Sequence, residues 1–117
     1  MQNKNKLLIG ENETIKKAII KIKKNGTRTV VVVNNKNSLL GTLTEGDIQK
    51  ALLKNVKINS NIKSLYNKSP KKINLNNINL DTISKIFIKG QYGALPVVDS
   101  KNIVQKVITW PQIFNSK

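Results

Sequence analysis

The sequence predicts an α/β fold made of two β-α-β-β-α units packed about a pseudo-twofold axis. Three observations predict it. Residues 14–47 overlay residues 79–112 without a gap, since 79 − 14 and 112 − 47 are both 65. Each copy opens with apolar residues at helical spacing. Each then runs into a short Val-rich strand, Thr29–Val33 or Ala94–Val98, of the kind a sheet covered on both faces requires. One unit of this size cannot bury its own sheet, so the copies must cover each other.

The elements follow in order. Short strands at 7–9 and 72–73 precede the two helices. Ile15, Ala18, Ile19 and Ile22 mark the apolar face of the first helix, and Leu80, Ile83 and Phe87 that of the second. Thr14 and Asn79 take matching N-cap positions, where a short polar side chain accepts from the first free amides. Asn25-Gly26 and Lys89-Gly90 supply the terminating glycines. Turns at 34–38 and 99–102 lead into second strands at 39–43 and 103–108. Thr44 caps a helix over 45–54, and Thr109 its counterpart from Pro111, where few residues remain. The units are therefore placed at 7–54 and 72–114, the second with a truncated last helix. A polar connector, 55–71, joins them, with a single turn around Ile62, Leu65 and Tyr66, and residues 1–6 and 115–117 are read as flexible termini.

Composition excludes several classes of function. The chain has no cysteine and no histidine, so it lacks disulfides, thiolate metal sites and the commonest general base. Its six acids are scattered, and no nucleophile–base set is present. The reading is of a binding protein, not an enzyme, with no metal and no required cofactor. No apolar run approaches the roughly 20 residues that span a bilayer, and the first residues lack the apolar core of a secretory signal. A cytoplasmic protein that does not bind membranes is expected.

The net charge of +15 would attract phosphate-rich partners. Yet Arg28 is the only arginine among 21 basic residues. Lys, Asn and Ile, all abundant here, share AT-rich codons, so base composition accounts for much of the excess. Nucleic-acid sites favour Arg, and only 4% of residues are aromatic, too few for a stacking platform. Nucleic acid is disfavoured as a partner.

The sharpest local feature is the run Gly41-Thr42-Leu43-Thr44-Glu45-Gly46-Asp47, where a strand meets a helix. Helix N-terminal amides and a threonine hydroxyl suit a phosphate. A carboxylate three residues later suits the two hydroxyls of a ribose. The same residues are equally an ordinary helix start, with Thr44 as cap and Asp47 complementing the dipole.

The duplicated pattern, with Gly-apolar-apolar-Thr-x-x-Asp at the junction, resembles a tandem pair of CBS domains, the arrangement called a Bateman module. The resemblance covers residues 7–114. It implies a regulatory module that holds an adenosine nucleotide, such as AMP or ATP, in a cleft between the copies and modulates an attached or partner protein. By that resemblance Asp47 holds the ribose and Thr44 lies near ribose and phosphate. Thr27, Arg28, Thr29 and Val30 enter the strand that faces the base, with Arg28 on the phosphate, where a planar guanidinium holds oxygens in a way Lys does not. A weaker second site comprises Tyr92, Ala94, Thr109 and Gln112. There Arg28 is replaced by Gly93, Gly41 by Lys106 and Asp47 by Gln112. Lys71 and Lys72 are further, weaker phosphate candidates. The segments 95–99 and 107–110 also resemble the N-terminal CBS pair ahead of some sugar-phosphate nucleotidyltransferase domains, which implies a catalytic part elsewhere. Such pairs form homodimers through their helices, for which Trp110, Ile113 and Phe114 are candidates. The rival readings are a ligand-free structural dimerisation domain and a basic nucleic-acid-binding protein.

Overall fold

The computed structural model of the chain describes residues 4–90 and 92–109. The expected last helix from Pro111 lies outside the described residues, with Trp110, Gln112, Ile113 and Phe114. Strand β1 (Leu8–Gly10) leads into helix α1 (Ile15–Asn25), then β2 (Thr29–Val33), β3 (Leu39–Thr44) and α2 (Glu45–Leu53). The second repeat runs β4 (Ile73–Asn74), α3 (Leu80–Gly90), β5 (Ala94–Val98) and β6 (Val104–Thr109). Short 3-10 turns occupy Lys4–Leu7 and Leu75–Asn77.

Each helix starts as its sequence dictates. The Thr14 hydroxyl accepts from Lys17 N at 3.1 Å, and Asn79 Oδ1 accepts from Asp81 N and Thr82 N. The first helix stops at Gly26, whose φ of 65° is open to glycine at little cost. Gly90 differs. It is the last residue of α3 rather than a left-handed terminator, and a Cβ there would overlap the Tyr92 ring. Room for an aromatic side chain, not backbone sign, explains this glycine.

The sheets have the same topology, β1-β2-β3 and β4-β5-β6. In each, the first pair is parallel and the second antiparallel. Thr29 pairs with Thr44, and its counterpart Ala94 pairs with Thr109. The copies part company at the first strand. Leu8 faces Val31, whereas Ile73 faces Val97, so the second repeat has one extra residue ahead of its first helix.

Alternation along β2 explains the layering. Val31 and Val33 point into a central cluster with Leu7, Leu8, Leu39, Ala94, Val98, Val104 and Val107. Val30 and Val32 point outward, beneath Ile15, Ala18 and Ile22 of α1 and Ile48 of α2. On the other flank Leu95 and Val97 lie beneath Ile83 and Phe87 of α3. The sheets meet face to face and the helices lie outside. Each fully buried Val, Leu or Ile stabilises this arrangement by roughly 1.5–3 kcal/mol.

The pseudo-twofold axis is visible in single contacts. Ser38 bridges to Ile103, its own counterpart in the other repeat. Leu39 N donates to Asn102 O, and Val104 N donates to Asn37 O, each at 2.9 Å. These two bonds are images of one another. At the far end of the sheets Arg28 lies against Gly93, again a residue and its counterpart.

The connector exceeds its expectation. The turn is present, with Leu65 N donating to Ile62 O. The segment as a whole, however, is part of the first repeat's core. Ile62 is wholly buried and Tyr66 nearly so. Ile62 N donates to Glu13 O, and Thr42 and Asn67 exchange both backbone hydrogen bonds along the edge of β3. This close approach needs Gly41, because a Cβ there would collide with Asn67 O and the Tyr66 ring.

Candidate ligand site

The junction of β3 and α2 is built by two reciprocal bonds. Thr44 is extended, with φ −101° and ψ 161°, as is Thr14, the cap of α1, with ψ 159°. Its hydroxyl accepts from Asp47 N, and Asp47 Oδ2 accepts from Thr44 N, both at 3.1 Å. This is a capping box, which satisfies two helix-end amides at once. The helix-start reading of Thr44 and Asp47 is thus realised in the fold. It uses one oxygen of the Asp47 carboxylate, and both side chains remain half-buried rather than enclosed.

Residues 27–30 arrive at the same place because β2 and β3 are antiparallel. Glu45 N donates to Arg28 O at 2.9 Å, which ties the entry of β2 to the N-terminus of α2. Arg28 itself is exposed. The other three do not present side chains outward. The Thr27 hydroxyl donates to Thr29 O, Val30 is wholly buried, and the wholly buried Thr29 accepts through its hydroxyl from Gly93 N at 3.2 Å. The fold therefore places Arg28, Thr44 and Asp47 at one strand–helix junction, Arg28 exposed and tied in by its carbonyl, Thr44 and Asp47 half-buried in the capping box, with 27, 29 and 30 as their framework.

The second repeat repeats the geometry with less chemistry. Ala94 and Thr109 are both buried and face each other across β5 and β6. Tyr92 packs half-buried against the second outer cluster. Gln112 lies outside the described residues. Lys72 is not part of this end of the sheet: its Nζ donates to Asn102 Oδ1, at the turn that follows β5. Lys71 is exposed.

An open cavity of about 490 Å³ lies elsewhere, beyond the C-terminal ends of β1 and β2. Glu11, Asn12, Glu13, Asn34 and Asn35 give it its polar lining. Glu13 pairs with Lys17 at 2.8 Å, and Glu11 accepts from the Tyr66 hydroxyl. Burial, and then the Glu11 acceptor and its charge, push the Tyr66 phenol above its ordinary value. Both carboxylates of this cavity are thus engaged, Glu13 by a lysine and Glu11 by a phenol, and among the described residues no basic side chain lines it. Among the described residues no three potential metal ligands cluster, and no helix is long and apolar enough to cross a membrane.

Sequence reasoning did not single out Gly93 as part of this site. The available signal was its position, opposite Arg28 in the repeat, but only the packing shows the two in contact.

Known proteins bear on this geometry. Residues 2–54 match the CBS domain family. An uncharacterised protein of Helicobacter pylori is 29% identical over 114 residues, which make up 97% of this chain and 34% of that protein. A homoserine O-acetyltransferase of Methanococcus vannielii is 36% identical over 121 residues, 99% of this chain and 24% of that one. The chain thus spans about a third of the length of the first of these relatives and about a quarter of the second. Among solved structures, a CBS domain pair/ACT domain protein of Thermotoga maritima superposes with a TM-score of 0.78 at 15% identity, covering 97% of this chain and 89% of that one. A CBS domain pair in complex with 5′-methylthioadenosine and S-adenosyl-L-methionine gives 0.76 at 22% identity, covering 94% and 86%. CBSX2 in complex with AMP gives 0.75 at 16%, covering 93% and 84%. The fold is that of a CBS domain pair. Its first repeat matches the CBS domain by sequence as well, and the second follows it in topology.

Proposed function

We propose that the chain is a cytoplasmic regulatory module, with repeats at 7–54 and 72–114, that binds an adenosine-containing nucleotide and modulates an attached or partner protein. The observation that carries this reading is the convergence of Arg28, Thr44 and Asp47 at one strand–helix junction. A cation, a hydroxyl at a helix N-terminus and a half-buried carboxylate are the groups that a ribose phosphate calls for. The adenosyl ligands of two structural neighbours support the same ligand class. The greater length of both relatives supports a module within a larger protein. Our reading of the regulated part is a sugar-phosphate nucleotidyltransferase, although the Methanococcus relative is named for acetyl transfer. The module associates as a homodimer through its helices.

The test is titration calorimetry with AMP, ATP and S-adenosyl-L-methionine on the wild type, Asp47→Asn and Gln112→Ala. Asp47→Asn keeps an acceptor for the capping box while removing the charge, so it separates ribose binding from helix capping. We expect it to weaken binding about tenfold, since charge-assisted hydrogen bonds are worth roughly 1.5–3 kcal/mol and 1.4 kcal/mol is a factor of ten. Gln112→Ala should change little. Equal losses in both variants would reject a site centred on the first repeat. The second reading, a ligand-free dimerisation domain, is favoured by the capping box itself, in which Thr44 and Asp47 already satisfy each other's backbone. It predicts no heat from any of the three ligands.

A further inference from the structure

Arg28 is gripped from two sides. On one side its carbonyl accepts from Glu45 N at 2.9 Å, the first amide of α2. On the other it meets Gly93 so closely that a Cβ at 93 would lie 2.5 Å from Arg28 N and 3.1 Å from its Cα and Cβ. Gly93 has no positive φ to explain it, so the glycine is there for space. The approach is held by one hydrogen bond between the repeats, Gly93 N to the Thr29 hydroxyl at 3.2 Å.

Both features are one-sided. Positions 28 and 93 are counterparts, as are 29 and 94. The mirror bond would run from Arg28 N to a hydroxyl at 94, but Ala94 has none. A second arginine at 93 would sit against the first across the axis, like charge facing like charge. The fold therefore admits one arginine here and fixes its backbone between the other repeat and the N-terminus of α2.

We infer that Gly93, together with the Thr29 hydroxyl, is a positioning device that aims Arg28 at the ligand's phosphate, so that one pair carries one phosphate-discriminating site. This rests on the nucleotide reading above and adds to it where phosphate discrimination comes from. Gly93 and Thr29 act through Arg28 rather than by touching the ligand.

The readout is the ratio of AMP to adenosine affinity, measured calorimetrically on the full chain. A guanidinium held on a phosphate should give the wild type a preference for AMP of about tenfold. Gly93→Ala, which must push Arg28 aside, and Thr29→Val, which removes the hydroxyl at nearly constant volume, should both bring the ratio close to that of Arg28→Ala. Adding either change to Arg28→Ala should not move the ratio further. If Gly93→Ala fails to fold by circular dichroism, Thr29→Val carries the test alone. A wild-type ratio retained in Thr29→Val, or AMP and adenosine weakened equally in both variants, overturns the positioning role and leaves the nucleotide reading standing. A wild type that binds neither compound overturns both.

Discussion

Asp99 and Asn34 are counterparts that hold the same turn with different side chains. Asn34 Oδ1 accepts from Lys36 N and Ser38 N, and Asp99 Oδ1 accepts from Lys101 N and Ile103 N. The turns also share an asparagine at positive φ, Asn37 at 63° and Asn102 at 67°. The charge on Asp99 has one measurable result. The Ile103 amide is the largest influence, and with Lys101 N, the Gln105 amide and the Lys101 charge it outweighs the opposing desolvation and holds the carboxyl below its ordinary value. A depressed folded pKa contributes stability above the unfolded value, near 4, and loses it as pH falls through the folded one. Asp99→Asn should therefore lower stability modestly at neutral pH, because an amide holds the turn, as Asn34 does, but lacks the contribution of the charge. It should flatten the acid limb below about pH 4. Urea midpoints from pH 2 to 7 check both expectations, and a limb as steep as the wild type's would contradict them.

At the scale of elements, the connector and β3 behave as one piece. Gly41 exists because Asn67 and Tyr66 lie across it. Its counterpart, Lys106, is exposed and shows no such cover among the described residues. Gly41→Ala should lower stability by about 1–3 kcal/mol through overpacking, read as a fall in the urea midpoint at constant slope. Lys106→Ala should be nearly neutral. The same elements show what could be read in the sequence. β2 and β5 were legible because strands covered on both faces are continuous apolar runs. The Thr44–Asp47 junction was legible because cap and N3 residues have a fixed spacing. The connector was not, since Ile62, Leu65 and Tyr66 are few among polar residues, and the seat of Tyr66 depends on Gly41, 25 positions earlier (66 − 41 = 25). β4 was placed, but its one-residue register shift leaves no mark on a two-residue strand. Of the proposed ligand groups, Thr44 and Asp47 were suggested by type and spacing, and Arg28 by the family resemblance alone. That Thr27 and Thr29 turn their hydroxyls inward, and that Gly93 abuts Arg28, follows only from three-dimensional packing.

At the scale of the whole molecule, the central cluster belongs to neither repeat. Leu7, Leu8, Val31, Val33 and Leu39 come from the first, and Ala94, Val98, Val104 and Val107 from the second. A fragment of residues 1–71 keeps its helices and its connector but exposes five of those side chains. At roughly 1.5–3 kcal/mol each, their burial exceeds the margin a domain of that size can spare. We expect the fragment to aggregate or to unfold without a cooperative urea transition, measured beside the intact chain by size exclusion and circular dichroism. A sharp transition in a monomeric fragment would show that the outer cluster under α1 and α2 suffices.

The two self-equivalent contacts, 28 against 93 and 38 against 103, stand at opposite ends of the sheets like the ends of a hinge pin. Rotation about the line between them leaves both contacts made. Shear along or across it breaks the paired turn bonds and drags Gly93 into Arg28. The tether allows no other path, for the chain is docked at Asn67 and enters β4 at Ile73, a gap of roughly 20 Å even at full extension. These contacts and the short tether oppose parting or sliding of the repeats and leave rotation about the pin as the least hindered displacement. Under the proposed function, a ligand held at one repeat would be felt by the other as a small twist, largest at the outer helices, where leverage about the pin is greatest.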